Sequence, residues 1–244
     1  MKVLSIGNSF SQDAHEMLHA LAGANGVELD STNLYIGGCK LQTHWENIES
    51  NSTDYDLEIN AEKEIRKISI EEALTLEEWD VITLQQASAQ SQMFSTYTPY
   101  LENIAKYLRE KCPNAKILFH QTWAYENDYF KDNPRENTTK QKGMYNNILL
   151  ASQKASEAID APIIRAGVAI QAVRENVPEF DYASGGMSLN RDGYHLSYDY
   201  GRFAAAYAWL YELTGVWGDI CPFESIDKEL GEKITKTVKA ALEK

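Results

Sequence analysis

The sequence predicts an α/β fold in which helices cover both faces of a mostly parallel sheet. Short apolar or β-branched runs alternate along the chain with longer segments of helical periodicity, as in repeated strand–helix–strand units. The run at residues 80–84, Asp-Val-Ile-Thr-Leu, has no polar alternation, which is typical of a parallel strand buried on both faces. A chain of 244 residues buries roughly 70% of its unfolded surface, so its core requires neither a metal nor a disulfide.

The predicted strands are short and apolar, and turn-forming residues follow them. The first ends at Gly7-Asn8 and the second at Gly37-Gly38, where glycine permits a sharp turn. The polar stretch at residues 127–142 lacks regular spacing and is expected to form a long surface loop. Strands are expected at residues 2–6, 29–36, 80–84, 116–119 and 162–165. Helices are expected at residues 13–24, 41–48, 100–108, 142–159, 200–213 and 228–242.

Residues 51–79 interrupt this alternation before the third strand. Residues 54–60 and 64–69 are typical of an exposed hairpin. The sequence Ser69-Ile70-Glu71-Glu72 then matches a capping box that opens a helix. We therefore expect a single domain over residues 1–244, with a hairpin and helix inserted at residues 51–79.

The composition excludes several classes of function. With 23 basic and 36 acidic residues, the net charge is −13, and no basic stripe exists that would bind nucleic acid or an anionic membrane. No apolar run is long enough for a membrane span or a signal peptide, so we expect a cytoplasmic location unless an export signal has been trimmed. Cys39, Cys112 and Cys221 are far apart and form no Cys-x-x-Cys pair, which argues against a disulfide framework or a cysteine zinc site. The oligomeric state stays open.

The residues that follow each strand carry the functional prediction, because ligands of parallel sheets bind beyond the carboxyl ends of the strands. Ser9 follows the first strand and can act as a nucleophile if a base takes its proton. His195 is the natural base, because imidazole is the side chain best suited to exchange a proton near neutral pH. Asp192 lies three residues earlier on a glycine-containing turn and can orient the histidine ring. The absence of a Gly-x-Ser-x-Gly elbow disfavours the α/β-hydrolase version of this site.

Acyl transfer also requires donors for the oxyanion of the tetrahedral intermediate. The backbone N–H of Ser9 is one, and the Gly37-Gly38 turn offers another. A side-chain amide from Gln85 or Gln86, directly after the third strand, is the third. Each motif alone is more typical of an ordinary turn or helix cap, but their occurrence together, each after the proper strand, favours a catalytic site. Further substrate contacts are expected from residues near strand ends: Asn8, Gly37, His44, Gln85, His120 and Trp123.

The motifs resemble those of a known superfamily. Ile6-Gly7-Asn8-Ser9-Phe10 resembles the first block of the SGNH (GDSL-like) hydrolases, whose usual form is Gly-Asp-Ser, and Asp192-Gly193-Tyr194-His195 matches their last block, Asp-x-x-His. The whole chain is similar to a bacterial branch of that superfamily, the DUF4886 domains, most clearly at residues 35–39 and 79–86. The resemblance implies a three-layer α/β/α, flavodoxin-like fold with a five-stranded parallel sheet in the order 2-1-3-4-5.

The resemblance also implies a metal-free and cofactor-free esterase. It assigns Ser9 as nucleophile, His195 as base and Asp192 as its orienting partner, and Gly38, or Gly37, matches the glycine of the second block. We expect a small-molecule or carbohydrate ester with a short, acetyl-like acyl group as the substrate.

One block departs from the superfamily. The third block is normally Gly-x-Asn-Asp, and its asparagine supplies an oxyanion donor, whereas this chain has Gln85-Gln86-Ala87-Ser88. We assign the role of that asparagine to Gln86, because its amide has the same chemistry.

A zinc metallohydrolase is the first alternative. His15-Glu16-Met17-Leu18-His19 is a His-Glu-x-x-His string on a predicted helix, with two histidines four residues apart and a glutamate that could serve as base. Its context disfavours zinc, because no third histidine follows at the required spacing and the helix directly follows the first strand.

A non-catalytic carbohydrate-binding domain is the second alternative. Aromatic side chains that suit sugar stacking are expected in loops or near strand ends. They are Trp45, Trp123, Tyr125, Tyr129 and Phe130.

Overall fold

A seven-stranded mixed sheet forms the centre of the computed structural model, which describes residues 1–130 and 134–244. Its order is β4-β3-β2-β1-β5-β6-β7, with β3 and β4 antiparallel to their neighbours and the other five strands mutually parallel. The strands are β1 (Lys2–Gly7), β2 (Asp30–Tyr35), β3 (Tyr55–Ile59), β4 (Glu62–Ile68), β5 (Val81–Leu84), β6 (Lys116–His120) and β7 (Ile163–Ile164).

The prediction of a five-stranded parallel sheet is wrong in the number of strands, and the prediction of an exposed hairpin is wrong in its position. Among the described residues the parallel strands follow the order 2-1-3-4-5, but the hairpin of β3 and β4 extends the sheet beyond β2. Leu57 of β3 lies opposite Leu34 of β2, and both Tyr55 and Leu57 are buried. Pairing with β2 satisfies backbone groups that would otherwise form an open edge, so the hairpin belongs to the sheet and is not an exposed insertion.

Helices cover both faces of the sheet. They are α1 (Ser9–His15), α2 (Leu18–Ala24), α3 (Leu41–Ser50), α4 (Ile70–Leu74), α5 (Tyr100–Lys111), α6 (Pro134–Ile159), α7 (Ala166–Asn176), α8 (Tyr200–Thr214) and α9 (Lys228–Leu242). Val3 packs with apolar residues of α1, α2, α7, α8 and α9 on one face, whereas Leu4 and Ile6 pack with α3, α4 and α5 on the other. Alternate side chains of β1 thus enter two apolar layers, which gives the three-layer arrangement.

Three helices differ from the sequence prediction. The helix expected at residues 13–24 is divided into α1 and α2, with Glu16 and Met17 between them. Helix α6 begins at Pro134, so much of the loop expected at residues 127–142 is helical; proline is favoured at a first helical position. Residues 131–133 of that loop lie outside the described residues. Helix α7 has no counterpart in the prediction. Within the described residues no helix has the length and apolarity needed to cross a bilayer.

Candidate active site

A cleft of about 210 Å³ opens beyond the carboxyl ends of β1 and its two neighbours, β2 and β5. It is lined by residues from the loops after these strands and from the segment before α8: Asn8, Ser9, Phe10, Tyr35, Gly37, Gly38, Ser88, Tyr194 and His195. A larger hollow of about 670 Å³ beside α8 and α9 is lined by none of the predicted site residues. The smaller cleft is therefore the candidate active site.

Ser9 is the first residue of α1, and the side chain of Asn8 caps this helix. Oδ1 of Asn8 accepts hydrogen bonds from the Phe10 N–H at 3.0 Å and from the Gln85 amide at 2.7 Å. The Asn8 amide donates to the Cys39 carbonyl at 3.1 Å. One carboxamide thus joins the loops after β1, β2 and β5. The Ser9 N–H belongs to the first helical turn, where no acceptor exists within the helix, so it is a potential donor.

His195 lies between Ser9 and Asp192. Its Nε2 is 2.9 Å from Ser9 Oγ, and its Nδ1 is 2.7 Å from Asp192 Oδ2. Asp192 Oδ1 also accepts the backbone N–H of His195 at 2.8 Å and that of Tyr194 at 3.2 Å. A single carboxylate therefore fixes both the turn and the histidine ring, and the structure brings together the three residues that the sequence nominates as nucleophile, base and orienting group.

The protonation of Asp192 decides the roles of the two ring nitrogens. Burial raises the pKa of Asp192, but hydrogen bonds from the His195 ring and from the N–H groups of His195 and Tyr194 outweigh it and hold the pKa below its ordinary value. The carboxylate is ionised at neutral pH and can only accept hydrogen bonds. In the neutral ring, Nδ1 must then carry the proton, which leaves Nε2 free to accept the proton of Ser9.

The Gly37-Gly38 turn forms one wall of the cleft, as expected. Gly38 has a φ of 63°, a left-handed conformation that favours glycine. The Cys39 N–H closes the turn by donating to the Ile36 carbonyl at 3.1 Å. The hydroxyl end of Tyr35 lies nearest to Gly37, and Tyr35 also lines the cleft.

Gln86 is buried and is not among the residues that line the cleft, contrary to the oxyanion role expected for it. Its amide nitrogen donates to the carbonyl of Thr96 at 3.0 Å and to its hydroxyl at 3.1 Å. Its Oε1 accepts the N–H groups of Leu41 at 3.1 Å and Ala87 at 2.9 Å. The Gln86 amide therefore holds two loops together, and both of its N–H donors are occupied.

Three more residues expected to contact substrate are buried polar groups of the core: Gln85, His44 and His120. Nδ1 of His120 lies 2.6 Å from Gln85 Oε1, so His120 supports the glutamine that in turn holds Asn8. Nδ1 of His44 lies 2.8 Å from the hydroxyl of Tyr55. Burial lowers the pKa of His44 and of His120 to about 3, which keeps both rings neutral. None of the three lines the cleft, because each is enclosed between the sheet and its helices.

Trp123 is fully buried, which also contradicts its expected contact with substrate. It stacks on Phe10, with ring centroids 4.4 Å apart, and its Nε1–H donates to the Tyr194 carbonyl at 2.8 Å. Of the other aromatic residues proposed for sugar stacking, Tyr125 is buried and Tyr129 is exposed. Trp45 packs at the edge of the core, and the side chain of Phe130 lies outside the described residues. Among the four whose side chains the structure describes, the aromatic residues therefore do not form one shared stacking surface.

Asp13 is a residue of this site that the sequence analysis missed. It lies one helical turn after Ser9 and is fully buried. Its carboxylate accepts Arg191 Nη1 at 2.9 Å, Arg202 Nε at 2.9 Å and the Leu196 N–H at 2.9 Å. The helix that carries Ser9 therefore also anchors the loop that carries Asp192 and His195. The sequence offers one signal for this role, a carboxylate within an apolar helical stripe. The partners themselves cannot be recognised from sequence, because they lie 178 to 189 residues away.

The His-Glu-x-x-His string does not form a two-histidine metal site. The string crosses the break between α1 and α2, so the two histidines are not on one face of a continuous helix. His15 is buried, with Nε2 2.9 Å from Ser5 Oγ, whereas His19 is half exposed, with Nδ1 2.7 Å from the Leu29 carbonyl. Among the described residues no group of three or more His, Cys, Asp or Glu side chains is arranged to hold a metal ion.

The three-layer fold is similar to that of a putative SGNH hydrolase and of two acetyl xylan esterases. The acetyl xylan esterase AlAXEase is 16% identical, with a TM-score of 0.56 over 87% of this chain and 100% of its own. The acetylxylan esterase Axe2 from Geobacillus stearothermophilus is 14% identical, with a TM-score of 0.54 over 93% of this chain and 96% of its own. At these identities the similarity establishes the fold alone.

The chain belongs to the family described as "Domain of unknown function (DUF4886)", whose model matches residues 2–238. A DUF4886 family protein from Bacteroides uniformis is 35% identical, with a TM-score of 0.86 over 99% of this chain and 94% of its own. None of the curated proteins compared with the chain matches it. The family resemblance inferred from the sequence is thus confirmed.

Proposed function

We propose that the chain is a serine ester hydrolase that removes short, acetyl-like acyl groups from a carbohydrate or another small ester. The observation that carries the proposal is the hydrogen-bonded series of Ser9, His195 and Asp192, with separations of 2.9 and 2.7 Å. A hydroxyl, an imidazole and an ionised carboxylate in this order activate a serine for acyl transfer. The fold, shared with acetyl xylan esterases and SGNH hydrolases, supports hydrolase chemistry.

In the acylation step, Ser9 Oγ attacks the ester carbonyl while His195 Nε2 takes its proton. Asp192 stabilises the imidazolium through Nδ1–H and remains ionised. The carbonyl oxygen becomes an oxyanion, for which the N–H groups of Ser9 and Gly38 are the backbone donors. The C–O bond to the leaving alcohol then breaks, and His195 gives its proton to the departing oxygen.

In the deacylation step, water attacks the acyl-serine and His195 takes one of its protons. The second tetrahedral intermediate collapses, the carboxylic acid leaves, and the proton returns from His195 to Ser9. Each proton transfer uses the same ring nitrogen, Nε2, so the Nδ1–H bond to Asp192 persists throughout the cycle.

The size and borders of the cleft favour a short acyl group on a sugar-like alcohol. The volume of about 210 Å³ is below the range of roughly 300–1,000 Å³ that pockets for drug-sized ligands occupy. Tyr35 and Tyr194 line the cleft with half-buried rings, whose faces suit stacking against a sugar ring. The kcat/KM for p-nitrophenyl octanoate should therefore fall below that for the acetate by about tenfold or more.

Hydrolysis of p-nitrophenyl acetate by wild type, Ser9→Ala and His195→Ala, with and without EDTA, tests the proposal. Both variants should lose turnover, and EDTA should have no effect on the wild type. Ser95→Ala is the matched control, because it also removes a serine hydroxyl, but from an exposed residue that does not line the cleft. Full turnover by Ser9→Ala would contradict the proposal, and turnover that survives Ser9→Ala but disappears with EDTA would favour the metallohydrolase.

A further inference from the structure

Gln86 does not provide the side-chain oxyanion donor that the sequence predicts for this site. Backbone N–H groups at Ser9 and Gly38 come from the loops after β1 and β2, while the loop after β5 contributes one residue to the lining, Ser88. Strand β5 pairs directly with β1, so the loop after β5 lies on the side of Ser9 away from Gly38. The loop that carries Ser88 would therefore approach an oxyanion beside Ser9 from the side opposite to Gly38.

The backbone of Ser88 is held in a fixed turn. The N–H of Gln90 donates to the Ala87 carbonyl at 2.8 Å, and Ser91 Oγ donates to the Ser88 carbonyl at 2.8 Å. The Gln86 amide closes the same loop through Thr96, as described above. A donor on such a turn requires little rearrangement when charge develops on the substrate, which is the condition for effective oxyanion stabilisation.

The hydroxyl of Ser88 has one partner that can set its direction. Ser88 Oγ lies 3.0 Å from the hydroxyl of Tyr125, on the loop that follows β6. The Tyr125 ring is buried against Tyr129 and Tyr194, with centroids 4.5 and 5.6 Å away. Burial raises the pKa of Tyr125, so the phenol keeps its proton. When the phenol donates a hydrogen bond to Ser88 Oγ, the Ser88 hydroxyl can donate its own proton to a different acceptor. Because Ser88 lines the cleft, that acceptor can be a substrate oxygen bound there.

We propose that the Ser88 hydroxyl is the third oxyanion donor of this cleft and that Tyr125 orients it by donating its phenol proton to Ser88 Oγ. The inference rests on the proposed esterase function. Ser88 is then a catalytic residue that touches the reacting oxygen, and Tyr125 is a positioning residue that acts through it. No covalent bond to either residue forms or breaks during turnover.

The test is the kcat and KM of purified variants with p-nitrophenyl acetate. Ser88→Ala should lower kcat about 100-fold and leave KM within about threefold, because the lost bond is made mainly in the transition state. Tyr125→Phe should lower kcat by about tenfold, since the Ser88 hydroxyl persists without its orienting partner. Ser88→Asn should recover part of the loss, because an amide N–H replaces the hydroxyl donor. Ser95→Ala should match the wild type.

The outcomes separate this inference from the esterase proposal. If turnover depends on Ser9 but Ser88→Ala keeps more than a third of the wild-type kcat, the inference on Ser88 is wrong and the esterase proposal stands. A rise in KM with unchanged kcat would equally overturn it, because Ser88 would then only bind substrate. Loss of turnover in Tyr35→Phe together with an active Ser88→Ala would assign the donor to Tyr35. If the wild type has no Ser9-dependent turnover, both proposals fall. Melting temperatures confirm that each variant is folded.

Discussion

Four of the five histidines of this chain lie in two regions with opposite surroundings, the cleft and the core. His195 is in the cleft, with 19% of its side chain exposed, between a serine hydroxyl and an ionised carboxylate. The buried histidines, His15, His44 and His120, lie in the core and contact neutral groups instead: the side chains of Ser5, Tyr55 and Gln85. The same ring is a candidate base in one region and a neutral hydrogen-bonding group in the other. A carboxylate partner and access to water make the difference.

Removing the carboxylate that contacts His195 should have the largest effect, in this case on kcat. Asp192→Asn should lower kcat by about 10³–10⁴-fold, because an amide can donate to Nδ1 and so favours the wrong tautomer of His195. Steady-state kinetics with p-nitrophenyl acetate measure this loss. The melting temperature should change little, since the Asp192 side chain is 40% exposed. A kcat within tenfold of the wild type would show that the carboxylate is dispensable.

Removing the charge of the buried Asp13 carboxylate should have the next largest effect, in this case on stability. Asp13→Asn leaves Arg191 and Arg202 without their buried counter-charge and should cost about 3–5 kcal/mol of unfolding free energy. Urea denaturation measures the change. The matched control is Asp30→Asn, whose carboxylate is 40% exposed and pairs with Lys2 at the surface, and it should change stability far less. Equal effects of the two substitutions would refute the anchoring role of Asp13.

Lowering the pH should destabilise the protein through the buried histidines. Burial lowers the pKa of His15, His44 and His120 from 6.5 to about 3 in the folded state. Between these values the unfolded chain binds more protons than the folded one, so the free energy of unfolding falls as the pH falls. At pH 5 the loss reaches up to about 2 kcal/mol for each histidine.

Urea denaturation at pH 7, 6 and 5 measures this dependence. His44→Gln should make it shallower, because one of the three groups is removed. An unfolding free energy that stays constant from pH 7 to pH 5 would show that these rings take up protons without unfolding.

The smallest effect is expected from His19, the surface histidine of the His-Glu-x-x-His string. His19→Ala should leave kcat within about twofold of the wild type, since its ring contacts the Leu29 carbonyl and is remote from the lining of the cleft. Loss of activity in His19→Ala, coupled to inhibition by EDTA, would revive the metal-dependent alternative.

The sequence was most informative where a short motif sets its own geometry. Asp192 and His195 are three residues apart, and the hydrogen bonds within their turn place the carboxylate on the ring. Ser9 lies two residues after the last residue of β1, so its position at the end of the sheet follows from the strand alone. The five parallel strands could be ordered through the family resemblance, whereas the addition of the hairpin depends on pairing across the sheet that local patterns do not encode.

Side-chain direction after a strand was not predictable from the sequence. Gln85 and Gln86 are adjacent amides of identical chemistry, yet one supports Asn8 and the other closes the loop to Thr96. His120, the last residue of β6, is likewise buried in the core and does not line the cleft. A polar residue at a strand end looks the same in sequence whether it meets a ligand or satisfies a buried group. The role of Asp13 was hidden for a related reason, because its arginine partners are distant along the chain.

The two outer strands of the sheet also affect whether a strand from another copy of the chain can pair with its edges. At one edge, β4 has the sequence Glu-Lys-Glu-Ile-Arg-Lys-Ile, in which five of seven residues are charged. At the other edge, β7 is only two residues long. A charged strand and a very short one are both poor templates for an added strand from a neighbour. The hairpin that covers β2 thus gives the sheet a border that is a poor template for strand addition, and its removal would leave the backbone groups at that edge of β2 unpaired and open to another strand.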